Sequence, residues 1–481
     1  MLDLLTDLID GVPAGIHAEA RRVARSEERL LVRDGRVDRV DTETTEGIGM
    51  RVRANGAWGF AATADVSRRG AEEALKGALA LAEVLPRTGD APLVPLGEPA
   101  RGHWASPCER DPFAVSLEDK LELLLAAEAG LRGDSRIART EASCLSTRTH
   151  TAFASTDGAA CTQEVVECGG GIQAWAVADL DVQVRSYPSA HGGSVAQAGW
   201  EHLVALDLAG HAPRVAEEAV ALLTAPPCPS GRTTLILGPE QLALQVHESI
   251  GHALELDRIL LGEASYAGTS WVQPGDLDPA RPLRYGSQHL HITADGTAAR
   301  GLGTYGWDDE GVAAARTPLI EGGVLRAALS DRQSAAAVGL ERSAGCARAD
   351  GFARQPIVRM TNVSIEPGEA GSLADLLADT GEGIYMETNR SWSIDDRRLH
   401  FQFATEVAYE IRDGRLGRLL RDPSYAGVTP RLWAGLDAVC SAPTWNLHGL
   451  LHCGKGEPGQ VMRVSHGAAP ARFRDIEVGV A

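Results

Sequence analysis

Two histidines and a glutamate are clustered in one short apolar segment of the chain. His247 and Glu248 are adjacent, and His252 follows five residues after His247. Apolar residues recur at helical spacing through positions 242–256, which predicts a long helix beginning at Pro239 with one buried face. Buried imidazoles and carboxylates need partners. Either a bound metal ion or ordinary hydrogen bonds in the core would satisfy them.

The spacing of the two histidines differs from the H-E-x-x-H pattern of zinc peptidases, in which histidines four residues apart share one helix face. Positions five residues apart diverge by about 140° on a regular α-helix, at ~100° per residue. Both imidazoles can therefore reach one metal only if the helix gains a residue locally, as a π-turn does. We expect this distortion at Gly251, immediately before His252.

A third candidate ligand, Cys453, lies near the other end of the chain. The surrounding segment 450–460 is rich in glycine and is predicted to be a loop, where a cysteine seldom serves core packing. Lys455 is one of only three lysines among 46 basic residues, and its charge would favour the thiolate. One thiolate and two imidazoles form a suitable zinc-binding set that leaves a fourth tetrahedral position for water.

With these residues in view, the sequence resembles the TldD/PmbA family of metallopeptidases. Matching blocks occur in the family's order across most of the chain, at 47–52, 58–60, 247–255, 267–270, 308–311, 359–362 and 453–455. The segment 383–395 differs from the more glycine-rich stretch that the family has there.

The resemblance implies a zinc peptidase in which His247, His252 and Cys453 hold one Zn²⁺. Glu248 would be the general base that deprotonates a metal-activated water and later protonates the leaving amine. The resemblance also implies small or unfolded peptide substrates, bound in extended form in an enclosed site. It further implies a dimer, formed with an identical chain or with a sibling subunit that lacks the metal motif.

Three further residues are candidates for supporting roles. Glu255 could accept a hydrogen bond from the ring of His252, or it could be a surface carboxylate. His452 could contact the substrate or be solvated. Lys455 could stabilise the thiolate or an oxyanion, or it could be an ordinary loop lysine.

Two other charged groups are predicted to take no part in the chemistry. The acidic cluster 308–310 is interpreted as a hydrated turn or a set of structural hydrogen-bond acceptors, rather than a second metal site. The pairs Arg21-Arg22 and Arg397-Arg398 are interpreted as solvated surface residues.

The elements that position these residues are predicted to form an α+β fold in three parts. Residues 1–95 and 108–226 are predicted to be N-terminal α+β units with antiparallel hairpins, joined by a linker at 86–107. Residues 230–481 are predicted to be a mixed, largely antiparallel β domain that carries the long active-site helix. Other helices are predicted at 67–85, 116–131, 204–223 and 373–378, with Ser67 and Ser372 as caps and Asp375 three residues after Ser372. Hairpin turns are predicted at Asp34-Gly35 and Asn55-Gly56.

Composition excludes several classes of protein. With 481 residues, 44% hydrophobic and 23% charged, the chain is expected to fold into two or three domains. Its net charge of −19 argues against nucleic acid or a membrane surface as partners. No apolar run approaches the ~18 to 20 residues that span a bilayer, and the N-terminus lacks the positive charge of a signal peptide, so a cytoplasmic location is expected.

The eight cysteines include no C-x-x-C pair, and most are predicted to be buried apolar residues.

Two alternative functions remain open from the sequence. The chain could be a non-hydrolytic scaffold or recognition subunit of a two-subunit peptidase, which would carry well under one zinc per chain. It could also be a biosynthetic enzyme that processes the amide of a modified peptide, which product analysis by mass spectrometry would reveal.

Overall fold

The computed structural model describes residues 1–86, 92–262, 264 and 268–479. Helices and mixed sheets alternate along this part of the chain, so the predicted α+β class is confirmed. Among the described residues, no helix combines the length and the apolar character needed to span a bilayer.

The N-terminal part consists of α1 (Leu2–Asp10), β1 (His17–Arg33), β2 (Arg36–Ala54), β3 (Ala57–Thr63) and α2 (Arg68–Val84). Its two hairpin turns fall at Asp34-Gly35 and Asn55-Gly56, as predicted, with positive φ at all four residues. The predicted helix at 67–85 is confirmed as α2. Ser67 caps it by accepting a hydrogen bond from the amide of Gly70.

The second part contains β4 (Arg101–Ala105), α3 (Leu117–Ala129), β5 (Ile137–Ser155), β6 (Ala160–Ala178), β7 (Asp181–Tyr187), β8 (Ser194–Ala196), α4 (Trp200–Ala205) and α5 (Leu208–Leu222). The predicted linker at 86–107 was wrong in part, because β4 lies within it and pairs with β6. The helix predicted at 204–223 is in fact two helices. Asp207 separates them, with φ of 46°, and its carboxylate caps α5 at Gly210.

These two parts share one sheet, which the sequence boundaries do not indicate. Its strand order is β3-β2-β1-β5-β6-β4, and β7 and β8 also pair with β6. The long strands β1 and β5 bury one half of their length against α1 and α2, around Leu5 and Ala152. They bury the other half against α3 and α5, around Leu124 and Ala142. Two apolar clusters therefore stabilise a single sheet.

The C-terminal part contains the remaining strands and helices. The strands are β9 (Gly231–Leu237), β10 (Ile292–Asp295), β11 (Arg316–Glu321), β12 (Val324–Leu325), β13 (Ala347–Arg348), β14 (Ile357–Val358), β15 (Asn362–Ile365), β16 (Gly383–Ile394), β17 (His400–Arg412), β18 (Arg415–Leu420), β19 (Ser424–Val428), β20 (Leu436–Val439), β21 (Asn446–Lys455), β22 (Gln460–Ala468) and β23 (Ala471–Val478). The helices are α6 (Pro239–Val246), α7 (Leu256–Ile259), α8 (Arg332–Ala337), α9 (Leu373–Thr380) and α10 (Thr429–Ala434).

Two larger sheets make up most of this part. One has the order β12-β11-β10-β15-β22-β21, and the other has β16-β9-β23-β19-β17-β18 with β20 added on β23. The pairs β15–β22 and β9–β16 are parallel and the other pairs within these sheets are antiparallel, which agrees with the predicted mixed sheet. Helix α6 contacts β16 of one sheet and β22 of the other. The segment with the histidines is thus placed in the centre of the domain.

Candidate metal centre

The helix that carries the histidines changes its winding at the first of them. Regular α-helix ends at Val246, and residues His247–Gly251 form a π-turn in which the amide of His252 donates to the carbonyl of His247. A 3-10 turn, His252–Leu254, follows. The predicted single long helix is therefore replaced by three types of helical turn, and the predicted extra residue is confirmed. It brings both imidazoles to one side of the segment.

The surroundings of the π-turn explain why it forms in this sequence. A Cβ atom on Gly251 would lie 2.1 Å from the sulfur of Met360, so glycine is needed here for close packing rather than for an unusual φ angle. The buried carbonyl of Ser249 accepts a hydrogen bond from the hydroxyl of Tyr285 at 2.5 Å. The indole of Trp433 donates to the Ser249 hydroxyl at 3.0 Å. Neighbouring elements thus satisfy polar groups in the widened turn.

The structure brings His247, His252 and Cys453 together. One donor atom from each residue lies within 4.8 Å of the other two, and all three residues are buried. The imidazole centroids of the histidines are 4.6 Å apart, and Sγ of Cys453 lies 3.5 Å from Nε2 of His252. Two imidazole nitrogens and one sulfur around a common point are donors that suit zinc.

The electrostatic surroundings favour the protonation states that a metal requires. Burial lowers the pKa of both His247 and His252 to about 4, so each ring is neutral near pH 7. Burial by itself would raise the pKa of the Cys453 thiol, but the positive charge of Arg359 and the ring of His252 outweigh it and lower the pKa to about 7. A neutral imidazole and a thiolate are the forms that bind metal ions.

Cys453 lies on strand β21 rather than in the predicted loop, whose tip is limited to the turn between β21 and β22. A bulge between Leu450 and Cys453 directs the cysteine into the core. Of the roles considered for Lys455, direct stabilisation of the thiolate does not match its contacts. Its ammonium contacts both carboxylate oxygens of Asp257, at 2.7 and 2.8 Å, and the guanidinium of Arg359 is the cation that stabilises the thiolate.

Glu255 is the hydrogen-bond partner of His252. Its Oε2 lies 3.0 Å from Nδ1 of His252, and the carboxylate is completely buried. Arg258 donates to the same oxygen at 2.6 Å, and Nζ of Lys455 lies 3.3 Å away. Burial would raise the pKa of Glu255, but Lys455, His252 and Arg258 together hold it well below its usual range. The carboxylate therefore accepts the Nδ1 proton, which leaves Nε2 of His252 free to bind a metal.

His466, which the sequence analysis missed, performs the same task for His247. Nδ1 of His466 lies 2.6 Å from the carbonyl of Val363, so this nitrogen carries the proton. Its Nε2 must then accept, and it lies 2.8 Å from Nδ1 of His247. Nε2 of His247 is thereby left free to bind a metal. A histidine on a sheet strand two hundred residues later carries no local sequence signal for this role.

The carboxylate of Glu248 lies beside the triad and is held by two residues of the β16–β17 hairpin. The indole of Trp392 donates to one of its oxygens at 2.8 Å, and Arg398 donates to the other at 2.9 Å. The prediction that Arg397-Arg398 is solvated was therefore wrong for Arg398. Trp392 belongs to the segment 383–395 that departs from the family pattern, which was the available signal, and Arg398 lies three residues beyond that segment.

The other predicted residues lie outside the triad. His452 is exposed on β21, faces away from Cys453 and has its pKa lowered by burial and by Arg29 and Arg463. Arg21 is buried and donates to the carbonyls of Gly351 and Arg354, so its prediction as a solvated residue was wrong.

The acidic cluster 308–310 consists of structural acceptors, in agreement with one of its two interpretations. Asp308 accepts hydrogen bonds from the amides of Glu310, Val312 and Ala347. Among the described residues, His247, His252 and Cys453 form the only group of three or more potential ligands that meets the distance requirement for one ion.

Seven of the eight cysteines are buried, as predicted, and Cys108 is exposed. In the predicted block 267–270, Ala267 lies outside the described residues.

Comparison with known protein families agrees with this geometry. Residues 18–82 match the model of PmbA/TldA metallopeptidase domain 1, residues 110–225 match the central domain, and residues 230–480 match the C-terminal domain. The chain belongs to the PmbA/TldD metallopeptidase family. The resemblance seen in the sequence is thereby confirmed.

Several relatives of this chain are named as metalloproteases. It is 32% identical over 476 residues to a metalloprotease of Methanothermobacter thermautotrophicus, covering 99% of this chain and 97% of the relative. It is 28% identical over 253 residues to a zinc metalloprotease TldD homolog of Saccharolobus solfataricus, covering 52% of each chain.

Solved structures share the fold across the whole chain. TldE of Thermococcus kodakarensis superposes with a TM-score of 0.73 at 15% identity, covering 100% of this chain and 99% of the other. A protein of Thermotoga maritima described as a putative modulator of a DNA gyrase superposes with a TM-score of 0.76 at 17% identity, covering 99% of both chains. At these identities the likeness concerns the fold alone.

Proposed function

We propose that this chain is a zinc-dependent peptidase that hydrolyses small or unfolded peptides, with Glu248 as the general base. The observation that carries the proposal is the buried triad of His247, His252 and Cys453 with the Glu248 carboxylate beside it. The metalloprotease and zinc metalloprotease names of the relatives support it.

His247, His252 and Cys453 would hold the ion through Nε2, Nε2 and Sγ. Zinc bound in this way lowers the pKa of a coordinated water and polarises a carbonyl. The neighbouring carboxylate of Glu248 would take a proton from the attacking water and return it to the leaving amine. Trp392 and Arg398 fix the two carboxylate oxygens and so orient the base.

The test of the proposed base is the variant Glu248→Gln. It keeps the size of the side chain but cannot accept the proton, so we expect peptide hydrolysis to fall by at least about 100-fold, within the range of general-base effects, with zinc content unchanged. Hydrolysis of a panel of short unstructured peptides is measured by mass spectrometry, and zinc by atomic absorption. Glu122→Gln, at an exposed position of α3, is the matched control.

Zinc content tests the metal and separates a peptidase from a non-hydrolytic scaffold. We expect about one zinc per chain for the wild type and strong loss in Cys453→Ala, because the thiolate is one of three ligands. Wild-type turnover in Glu248→Gln would reject the base. A zinc content well below one per wild-type chain would support the scaffold instead. Products other than two hydrolysed peptide fragments would support the biosynthetic alternative.

The proposal includes a dimer, formed with an identical chain or with a sibling subunit that lacks the metal motif. Sedimentation of the purified chain alone would distinguish the two. A monomer that binds only a sibling favours the heterodimer, and a stable homodimer favours identical subunits.

A further inference from the structure

A cavity of about 620 Å³ lies between the N-terminal sheet and the C-terminal domain. Strands β1 and β5 contribute one wall, residues from 302–309 and 348–351 contribute the opposite wall, and the β21–β22 hairpin contributes one end. The volume falls in the range of about 300–1,000 Å³ that is typical of ligand pockets. The three candidate metal ligands are not among the described residues that line it.

The cavity and the candidate metal centre lie on opposite faces of one strand. At the bulge of β21, His452 lines the cavity while the next residue, Cys453, enters the core at the triad. Gly192 also lines the cavity, which places the preceding residue, His191, near the cavity.

One loop connects the cavity with the general base. Gly192 lines the cavity, and a Cβ atom there would lie 3.2 Å from the side chain of Leu451. The preceding residue, His191, places its ring 5.4 Å from the ring of Trp392, whose indole donates to Glu248. Adjacent residues of this loop thus reach the cavity and the surroundings of Glu248.

Several charged residues of the cavity wall are paired with one another. Arg25 lies 3.2 Å from Asp350, and Arg463 lies 2.6 Å from Glu27 and 2.7 Å from Glu167. A charged ligand would gain little in this environment, because it would have to compete with ion pairs that already exist.

The rest of the wall suits an apolar chain with a peptide backbone. Leu31, Leu145, Val165 and Leu302 line the cavity from both sides. Gln197 is only 1% exposed, and its amide nitrogen donates to the carbonyl of Thr304 at 2.8 Å. Its amide oxygen has no hydrogen-bond partner within the described part of the chain. A backbone N–H of a bound peptide would satisfy this buried acceptor.

We propose that the cavity binds an extended, uncharged apolar segment of the peptide substrate, next to the bond held at the metal centre. The inference rests on the proposed peptidase function and adds a preference for substrates with aliphatic residues on one side of the cleaved bond. Binding is measured separately from hydrolysis, so that the two proposals can fail independently.

The experiment compares two fluorescent octapeptides that share one Gly/Ser half. The other half contains leucine and valine in one peptide, and serine and glutamate in the second. Affinity for the zinc-loaded Glu248→Gln protein, which should not consume the peptides, is measured by fluorescence anisotropy. We expect the aliphatic peptide to bind at least about tenfold more tightly, because one or two aliphatic side chains leave water.

Two variants of strand β5 locate the effect. Thr149→Trp fills the cavity and should abolish the preference, whereas His150→Trp, on the opposite face of the same strand, should retain it. Zinc content and thermal unfolding verify that both variants are folded. If Thr149→Trp does not fold, an aliphatic peptide with a photoreactive group gives an independent result, since it should label cavity residues such as Met462.

Equal affinity of the two peptides, a preference that survives in folded Thr149→Trp, or labelling confined to other surfaces would each overturn the inference. A cavity occupied by a second copy of the chain would also give equal affinities. If no peptide is hydrolysed by the wild type but the aliphatic preference depends on Thr149, the cavity inference stands and the proposed peptidase function fails.

Discussion

The two halves of the metal centre hold their histidines in the same tautomer by different means. His252 donates to the carboxylate of Glu255, which is surrounded by the cations Arg258 and Lys455. His247 donates to the neutral ring of His466, which in turn donates to a backbone carbonyl. One half is a cluster of buried charges and the other is a chain of neutral hydrogen bonds.

This difference indicates which half of the metal centre is more sensitive to substitution. Removing one member of a buried ion cluster leaves other charges without partners, at a cost of about 3–5 kcal/mol. Removing one member of a neutral chain leaves an unsatisfied donor, at a cost of about 1–3 kcal/mol. Predictions for single substitutions use this contrast and run from the largest effect to the smallest, and a further prediction concerns pH.

Glu255→Ala should have the largest effect of the single substitutions. It leaves Arg258 and Lys455 without their shared anion, so we expect the free energy of unfolding to fall by about 3–5 kcal/mol. Zinc affinity should fall by about 10–100-fold, because His252 loses its orienting partner. Urea denaturation and competitive zinc titration measure the two effects. The exposed Glu122→Ala serves as the control, and similar stability of the two variants would show that the charged half is not coupled as described.

Acidification should remove the stability that His247 and His252 contribute to the metal-free protein. His247 and His252 have pKa values lowered to about 4, so between about pH 6.5 and 4 the unfolded chain binds protons that the folded chain excludes. Each of the two pKa shifts corresponds to about 3 kcal/mol of the free energy of unfolding, which is lost as the pH falls across that window. Burial raises the pKa of Asp257 to about 6 and of Glu240 and Glu406 to about 7, and these carboxyls act in the opposite direction as the pH falls. The contribution of His247 and His252 is therefore obtained by comparing the wild type with a variant that lacks both imidazoles.

The measurement is the melting temperature of chelator-treated protein at pH 6.5, 5.5 and 4.5. The low pKa of Glu255 adds a further loss only as the pH falls below about 4.5. The melting temperature should fall more between pH 6.5 and 4.5 in the wild type than in the double variant His247→Gln/His252→Gln, because the carboxyls that act in the opposite direction are common to both proteins. An equal change in the two proteins would contradict the prediction.

His466→Leu should have a smaller effect than Glu255→Ala. The variant removes the acceptor for Nδ1 of His247, so stability should fall by about 1–3 kcal/mol. Zinc affinity should fall by about tenfold, at the lower end of effects for residues that orient a ligand. The exposed His289→Leu is the control. If His466→Leu destabilises the protein as much as Glu255→Ala, the neutral half is not the more tolerant one.

The smallest effect is expected at Glu248, which is also held by one neutral and one charged donor. Trp392→Phe keeps the aromatic ring but removes the N–H group, so kcat should fall by about 2–10-fold. Arg398→Gln removes the charged donor and should lower kcat by about 10–100-fold. Both are measured on one short peptide with the zinc content verified. A larger loss of kcat in Trp392→Phe than in Arg398→Gln would show that the indole, rather than the guanidinium, orients the base.

Local patterns predicted much of the fold because local interactions decide it. The Asp34-Gly35 and Asn55-Gly56 hairpins, helix α2 with its Ser67 cap, and the capping box of Ser372 and Asp375 were all predicted from neighbouring residues. The shared sheet of the first two parts was not predicted, since the pairing of β1 with β5 joins residues more than a hundred positions apart.

The residues of the candidate site also fall into two groups, those that the sequence predicted and those that it did not. His247, Glu248, His252 and Cys453 were predicted by residue type and spacing, and the extra residue in the helix followed from geometry alone. His466, Trp392 and Arg359 were not assigned any role. Their contacts depend on strands from three distant segments of the chain that meet around α6.

The sequence by itself determined which donors were available, an unusual histidine spacing that demands a wider turn, and where many of the short elements begin and end. Those properties depend on covalent geometry and on neighbours a few residues apart. The tertiary structure alone decided that Arg398 is held against Glu248, that Lys455 pairs with Asp257, and that two different partners fix the tautomers of the histidines. Burial and long-range contact set those pairings, because the charge and direction of a side chain acquire their effect only from what surrounds it.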